Sequence, residues 1–322
     1  MDILLLGGTA FLGREVARQL MTAGHSVTCV ARGSGHVPAG AVLIKADRDQ
    51  PDSLEPVAGR DWGAVIDVAT HPSHARRAAQ RLTAKHWVYV SSGSVYTHFD
   101  ATATTEMAEV HDALEAEVMG DMSQYGPAKV ACEEAYRDHH KALTIIRPGL
   151  IGGNGDWTGR SGYYPWRFAH PTGNDVLVPD ATQPTAILDV ADLAGWIVHC
   201  VVNRICGTFN IGGEATTLGE VYAHCVAITG SSAQARVVDD TMLLKHGVRP
   251  WKGPRSLPLW IPDPALRYMS ILDCSKAKLQ GFSTRPMEET LAAAQRYEES
   301  RQDVRQVGLS DDEERELRNL IS

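Results

Sequence analysis

An α/β fold, with a doubly wound parallel sheet and a smaller discontinuous region after it, is what this 322-residue sequence predicts. Three observations carry the expectation. Short apolar runs alternate with helical periodicity up to about residue 150; a glycine-rich heptad, GGTAFLG at 7–13, joins the first run to the first helix; and from residue 149 the text turns irregular before regular structure resumes.

The strands read in order as 2-DILLLG, 26-SVTCVAR, 41-AVLIKAD, 63-GAVIDVA, 86-HWVYVSS and 142-ALTIIRPG. Continuous apolar runs of this length suit a parallel sheet buried on both faces. Between the first two lies the helical stretch 13-GREVARQLMTAG, closed by Gly24 as a C-terminal glycine should close it. Gly, Pro and aromatics crowd residues 149–184, after which 185-TAILDVADLAGWIVHCVV, 207-GTFNIGG and 218-LGEVYAHCVAITG restore regular periodicity. Ser310 to Glu313 forms a capping box that starts a last short helix. Two regions are expected, a nucleotide-binding domain over 1–150 and a substrate-binding region over 151–322 that returns elements to the first.

Composition excludes several classes. Hydrophobic residues at 43% and charged residues at 22% are ordinary for a globular chain, so a sizeable core is available. No apolar run approaches the ~20 residues that span a bilayer, and Met1-Asp2 runs straight into a strand, so a cytoplasmic protein without a membrane partner is expected. Six cysteines (29, 132, 200, 206, 225 and 274) form no CxxC, which argues for reduced thiols rather than a zinc site or disulfides. His71 and His74 flank a proline and have no evident third ligand, so no metal is expected. A net charge of −8 gives no attraction to nucleic acid.

The heptad follows a strand and precedes a helix, the context of a dinucleotide-binding turn. Its glycines must turn tightly, admit a pyrophosphate and let the helix pack on the sheet. Ala10 stands at the middle position and narrows it by one methyl. The free N–H groups of the helix start still offer an anion site.

Tyr125 and Lys129, in 125-YGPAK, are spaced by four, which places both on one helix face, with Pro127 confining them to the first turns or to a kink. An ammonium beside a phenol favours the phenolate, so the tyrosine can exchange a proton with a substrate oxygen. Upstream, 88-VYVSSGSVY ends in serines where the fifth strand should stop, at the edge where such sheets bind ligands.

With these motifs in this order, the chain resembles the short-chain dehydrogenase/reductase superfamily, in the extended and atypical branch of NAD-dependent epimerase/dehydratase-like proteins. GGTAFLG is similar to that branch's GGTxFLG turn, in which the middle position is often not glycine. The segments 147-RPGLIGG, 187-ILDVADLA and 207-GTFNIGG fit as well. The resemblance implies a Rossmann-type sheet. It implies a cofactor held by Gly7, Thr9, Ala10, Phe11, Leu12, Gly13 and Arg14, by Tyr125 and Lys129, and by Arg147 and Pro148 beside the nicotinamide. Relatives place the catalytic hydroxyl four residues before the tyrosine of a Val-Tyr or Leu-Tyr pair, and Val95-Tyr96 puts that role on Ser92, leaving Ser91 and Ser94 to cap or to face the cofactor.

The second strand ends in Ala31-Arg32-Gly33 with no acid for a ribose diol, so NADP is expected over NAD, with Arg32 and Arg14 on the 2′-phosphate and Asp47 at the adenine. Ser94, Trp157, Arg160, Tyr163, Tyr164 and Trp166 are candidate substrate contacts. Seven acids between 100 and 121, with no Lys or Arg in 100–124, would repel a highly anionic substrate if they border the site. The leading expectation is an NADP-dependent reductase of a small-molecule carbonyl with little negative charge, working as a homodimer. A nucleotide-sugar epimerase or dehydratase with bound NAD is the alternative, although Gly93-Ser94 replaces the Asp-Glu pair of dehydratases. A non-catalytic sensor or RNA-binding relative is a third, against which the retained Tyr-Lys pair speaks.

Overall fold

The computed structural model describes residues 1–99 and 103–321. Seven strands form one parallel sheet: β1 (Asp2–Leu6), β2 (Ser26–Ala31), β3 (Val42–Lys45), β4 (Ala64–Asp67), β5 (Trp87–Val90), β6 (Leu143–Pro148) and β7 (Gly207–Ile211), ordered β7-β6-β5-β4-β1-β2-β3. The chain winds outward from β1 through β3, then jumps back to β4 on the other side. That reversal opens a crevice beyond the carboxyl end of β1, where doubly wound sheets bind ligands.

The helices that matter below are α1 (Phe11–Thr22), α2 (Pro72–Arg81), α3 (Tyr125–His139), α4 (Tyr163–Ala169), α5 (Val190–Asn203), α6 (Leu218–Thr229), α7 (Met287–Ser300) and α8 (Asp311–Leu320). Strand alternation decides which face each covers. Ile3 and Leu5 pack with Val16 and Leu20 of α1 and Ile197 of α5, whereas Leu4 and Leu6 pack with Ala75 and Ala78 of α2 and Tyr136 of α3. Both β7 and α5 come from beyond residue 151, so the sheet is completed by chain that has already left it once.

A separate core lies wholly within residues 150–317, joining Tyr163, Tyr164 and Phe168 of α4 to Leu218 and Tyr222 of α6, Trp260, Leu291 of α7 and Leu317 of α8. Its helix α4 falls in the stretch that sequence periodicity reads as irregular, because seven residues are too few to establish a period. The capping box is present at α8: Ser310 Oγ accepts from Glu313 N at 3.2 Å while Glu313 accepts from Ser310 N at 2.8 Å. All six cysteines are free thiols. Among the described residues no helix is long and apolar enough to cross a membrane.

Candidate active site

The glycine turn sits at the crevice. Gly7 takes φ +112°, and a Cβ there would stand 2.4 Å from Val68 Cγ2. At Gly13 a Cβ would stand 2.1 Å from the Gly7 carbonyl oxygen, so only glycine lets α1 start this close to β1. Two further positions were not singled out from sequence. A Cβ at Gly8 would strike Cys29 Sγ at 2.4 Å, and one at Gly35 would strike the Thr9 carbonyl oxygen at 2.6 Å, which brings the loop after β2 down onto the turn. Ala10, in contrast, is exposed in ordinary extended backbone (φ −95°, ψ 175°), so its position does not require glycine.

The start of α1 carries no side-chain cap and no acid in its first turn, and its first bond runs from Arg14 N to Ala10 O. The amides of Phe11, Leu12 and Gly13 are therefore the unpaired donors of a helix N-terminus, suited to a pyrophosphate. Thr9, Phe11 and Leu12 are half-buried around them, and Arg14 is exposed, next to Gly155.

Arg32 lies exposed at the end of β2. The carboxyl of Asp49 is held below its ordinary value chiefly by its hydrogen bond with His74, with Arg32 contributing charge, so Arg32 and Asp49 share one edge of the crevice. Asp47 is exposed and accepts from Asp49 N at 3.1 Å, which ties one of its oxygens into a local turn. His71 Nδ1 accepts the Met119 amide and His74 Nε2 pairs with Asp49 at 2.8 Å. Among the described residues no group of three or more His, Cys, Asp or Glu stands together as a metal site.

Tyr125 opens α3, and Lys129 follows one turn later, 2% exposed. The Lys129 ammonium donates to the carbonyls of Ala69 and Val90, both at 2.7 Å, and lies 4.7 Å from the Tyr89 ring centroid. Two of its three donors are thus used to fix its place. One remains for a ligand. Gly126 explains why β5's tail meets α3 so closely, since a Cβ there would stand 2.3 Å from Ser94 O and 2.7 Å from the His111 ring.

The three serines separate by role. Ser91 is buried and donates to Glu133 at 2.6 Å, so it neither caps nor faces a cofactor. Ser92 is half-buried and accepts from Ser94 N at 3.1 Å, leaving its own hydroxyl proton free to be donated. Ser94 is half-buried too.

Several expected contacts are placed elsewhere. Arg147 is 4% exposed, with its guanidinium on Glu133 at 2.9 and 2.7 Å and on the Tyr96 hydroxyl at 3.1 Å, so an internal ion pair, not a nicotinamide, receives it. Pro148 is buried beneath Gly93. Tyr163 and Tyr164 are core residues, the first accepting from Leu309 N and the second donating to Pro258 O, while Trp166 lies 3.7 Å from the Arg305 guanidinium. Packing explains all three. Trp157 is 61% exposed, and its carbonyl accepts from Arg301. Within this segment the guanidinium of Arg160 feels the charge of Tyr125.

Part of the acidic run has partners. Glu106 accepts the Asn210 amide, Glu109 and Glu117 pair with His98 and Arg76, and Asp121 caps Ser123. Asp112 and Glu115 are exposed, and Asp100 lies outside the described residues.

A model of the NAD dependent epimerase/dehydratase family matches residues 3–212. Among curated proteins, the photosystem II assembly factor Ycf39 of Trieres chinensis is 33% identical over 114 residues, covering 30% of this chain and 35% of that protein. The chain thus matches about a third of that relative's length. Among solved structures, the Thermotoga maritima UDP-glucose 4-epimerase with UDP-glucose aligns with a TM-score of 0.68 at 20% identity, over 93% of this chain and 99% of that one. The Bacillus cereus UDP-glucuronic acid 4-epimerase in complex with NAD gives 0.65 at 16%, over 92% and 98%. At such identities the likeness is one of fold.

Proposed function

The chain belongs to the NAD dependent epimerase/dehydratase family, and on that premise we propose that it is an NAD(P)-dependent oxidoreductase in which Tyr125 exchanges a proton with a substrate oxygen. The observation that carries this reading is Tyr125 on the first turn of α3, one turn from a buried ammonium, at the ligand-binding edge of the sheet.

A bound nicotinamide supplies the hydride chemistry. The chain's own part is to hold the pyrophosphate on the amides of Phe11 to Gly13, to fix Lys129 between two carbonyls, and to present two hydroxyls to one substrate oxygen. Ser92 donates a hydrogen bond that orients this oxygen, and Tyr125 gives or takes the proton. Lys129 favours the phenolate and offers its third donor to the cofactor ribose.

Within this reading, a reductase that prefers NADP is supported by the absence of an acid at the end of β2 and by exposed Arg32 in its place. A nucleotide-sugar epimerase using NAD is a second reading, favoured by the family and by the epimerases that share the fold. Thermal-shift measurements with NADP⁺ or NAD⁺ present, comparing UDP- and dTDP-sugars with small carbonyl compounds, separate the two. Stabilisation by carbonyl compounds with NADP⁺ is the expected result. Stabilisation by nucleotide sugars alone establishes the epimerase.

A further inference from the structure

Buried and half-buried arginines in this protein are mostly paired with carboxylates, and Arg77 donates instead to the carbonyls of Arg48 and Gln50. Arg48 pairs with Asp67 at 2.7 Å, Arg147 with Glu133 at 2.7 Å, Arg167 with Asp311 at 2.7 Å, and Arg301 and Arg305 with Glu298 at 2.8 and 2.9 Å. Arg160 departs from this. Among the described residues no carboxylate lies within ion-pair distance of it, and its one hydrogen bond as a side-chain donor runs from Nε to Thr158 Oγ1 at 3.2 Å.

The neighbouring acid is already occupied. Asp156 Oδ1 accepts from Thr158 N and Oγ1, and Oδ2 accepts from Ser161 N and Oγ. Ser161 Oγ in turn accepts from Gly153 N, which ties the loop to the segment that follows β6. The loop is therefore braced from within, and among the described residues the guanidinium of Arg160, 5.1 Å from the Trp251 ring centroid, keeps both terminal nitrogens unclaimed. A half-buried cation that makes no direct ion pair with its neighbouring acid is costly to maintain. A ligand that supplies the charge removes that cost.

We propose that Arg160 anchors a carboxylate carried by the substrate, placed so that the neighbouring carbonyl or hydroxyl carbon lies at Tyr125; this rests on the reading of Tyr125 as the acid/base. A guanidinium fork with two free terminal nitrogens matches the two coplanar oxygens of a carboxylate. Electrostatics agrees with the geometry: burial lowers the pKa of Arg160 against the opposing charges of Asp156 and Tyr125, whereas the paired Arg48 and Arg147 are raised. Of the acids close to Tyr125 in sequence, Glu117 is paired with Arg76 and Asp121 is turned onto Ser123.

The test is calorimetric titration of the cofactor-saturated protein with benzoate and with benzamide, its neutral counterpart of the same shape. Wild type is expected to bind benzoate about tenfold or more tightly than benzamide, the size of one charged hydrogen bond. Arg160→Gln should abolish the difference, Arg160→Lys should keep part of it, and cofactor affinity should be unchanged in both. Equal binding of the two probes by wild type, including none of either, overturns the proposal. So does a preference that survives in Arg160→Gln, or an equal loss of cofactor affinity. A loss of UDP binding in Arg160→Gln with benzoate unaffected assigns the residue to a diphosphate instead. Failure of the Tyr125 reading would show separately, as unchanged turnover in Tyr125→Phe, and leaves the benzoate titration readable.

Discussion

Tyr125 and Lys129 divide one task between an accessible phenol and a buried ammonium, and substitutions separate the two halves. Tyr125→Phe keeps the ring and loses the proton, so turnover should fall roughly 10²–10⁴-fold while cofactor affinity stays as it was; turnover within a factor of two of wild type would contradict the role. Lys129→Met should lose turnover too, and it should also lower the thermal midpoint, because the buried carbonyls of Ala69 and Val90 would each lose a charged donor, worth about 1.5–3 kcal/mol, with Ala69 keeping the Tyr89 hydroxyl. A second residue-scale prediction concerns Arg32. If it reads a 2′-phosphate, Arg32→Ala should weaken NADPH by about ten- to a hundredfold and leave NADH nearly unchanged, as fluorescence titration would show. The i, i+4 spacing of Tyr125 and Lys129 was legible in the sequence because a helix enforces it. The fate of Arg147 was not, because its partner Glu133 belongs to another element.

At the scale of elements, the turn between β1 and α1 shows which glycines are obligatory. Gly13→Ala would push a methyl against the Gly7 carbonyl oxygen, at 2.1 Å in the unrelaxed geometry, so α1 must move off the sheet. Overpacking of this kind typically costs about 1–3 kcal/mol, and the displaced amides should bind a dinucleotide less well. Urea unfolding and cofactor titration should register both losses. Ala10→Gly is the control, since Ala10 is exposed with negative φ, and cofactor affinity should change by no more than about twofold. The motif's letters made this turn recognisable. The two added glycines, Gly8 and Gly35, meet Cys29 and Thr9 across a strand and a loop, contacts that no heptad pattern contains.

For the whole molecule, stability should fall on acidification in two stages. His86 is 1% exposed, and burial holds its pKa below the ordinary value of about 6.5. The unfolded chain therefore takes up the proton first, and this contribution, present above about pH 6.5, is lost as pH falls toward the folded value. Burial alone would raise Glu133, but the hydrogen bond and charge of Arg147 outweigh it and hold the carboxyl below its ordinary 4.5. Its contribution is present above that value and is lost as pH falls through the folded one. Urea midpoints should thus be lower at pH 5.5 than at pH 7.5, by less in His86→Gln, and should drop again below pH 4.5. An undiminished difference in His86→Gln would remove His86 from the account. Sequence alone determined the alternating strands, the turn at the crevice and the Tyr-Lys pair, because each is written in the local periods of strand and helix. Tertiary structure decided which charges are spent and which aromatics are buried. Arg147 finds Glu133 across 14 positions and Arg167 finds Asp311 across 144, and such partners are chosen by packing in space, where chain distance carries no weight. Arg160 stands apart for the same reason: the carboxylate oxygens of neighbouring Asp156 were taken up by Thr158 and Ser161 once the loop had folded.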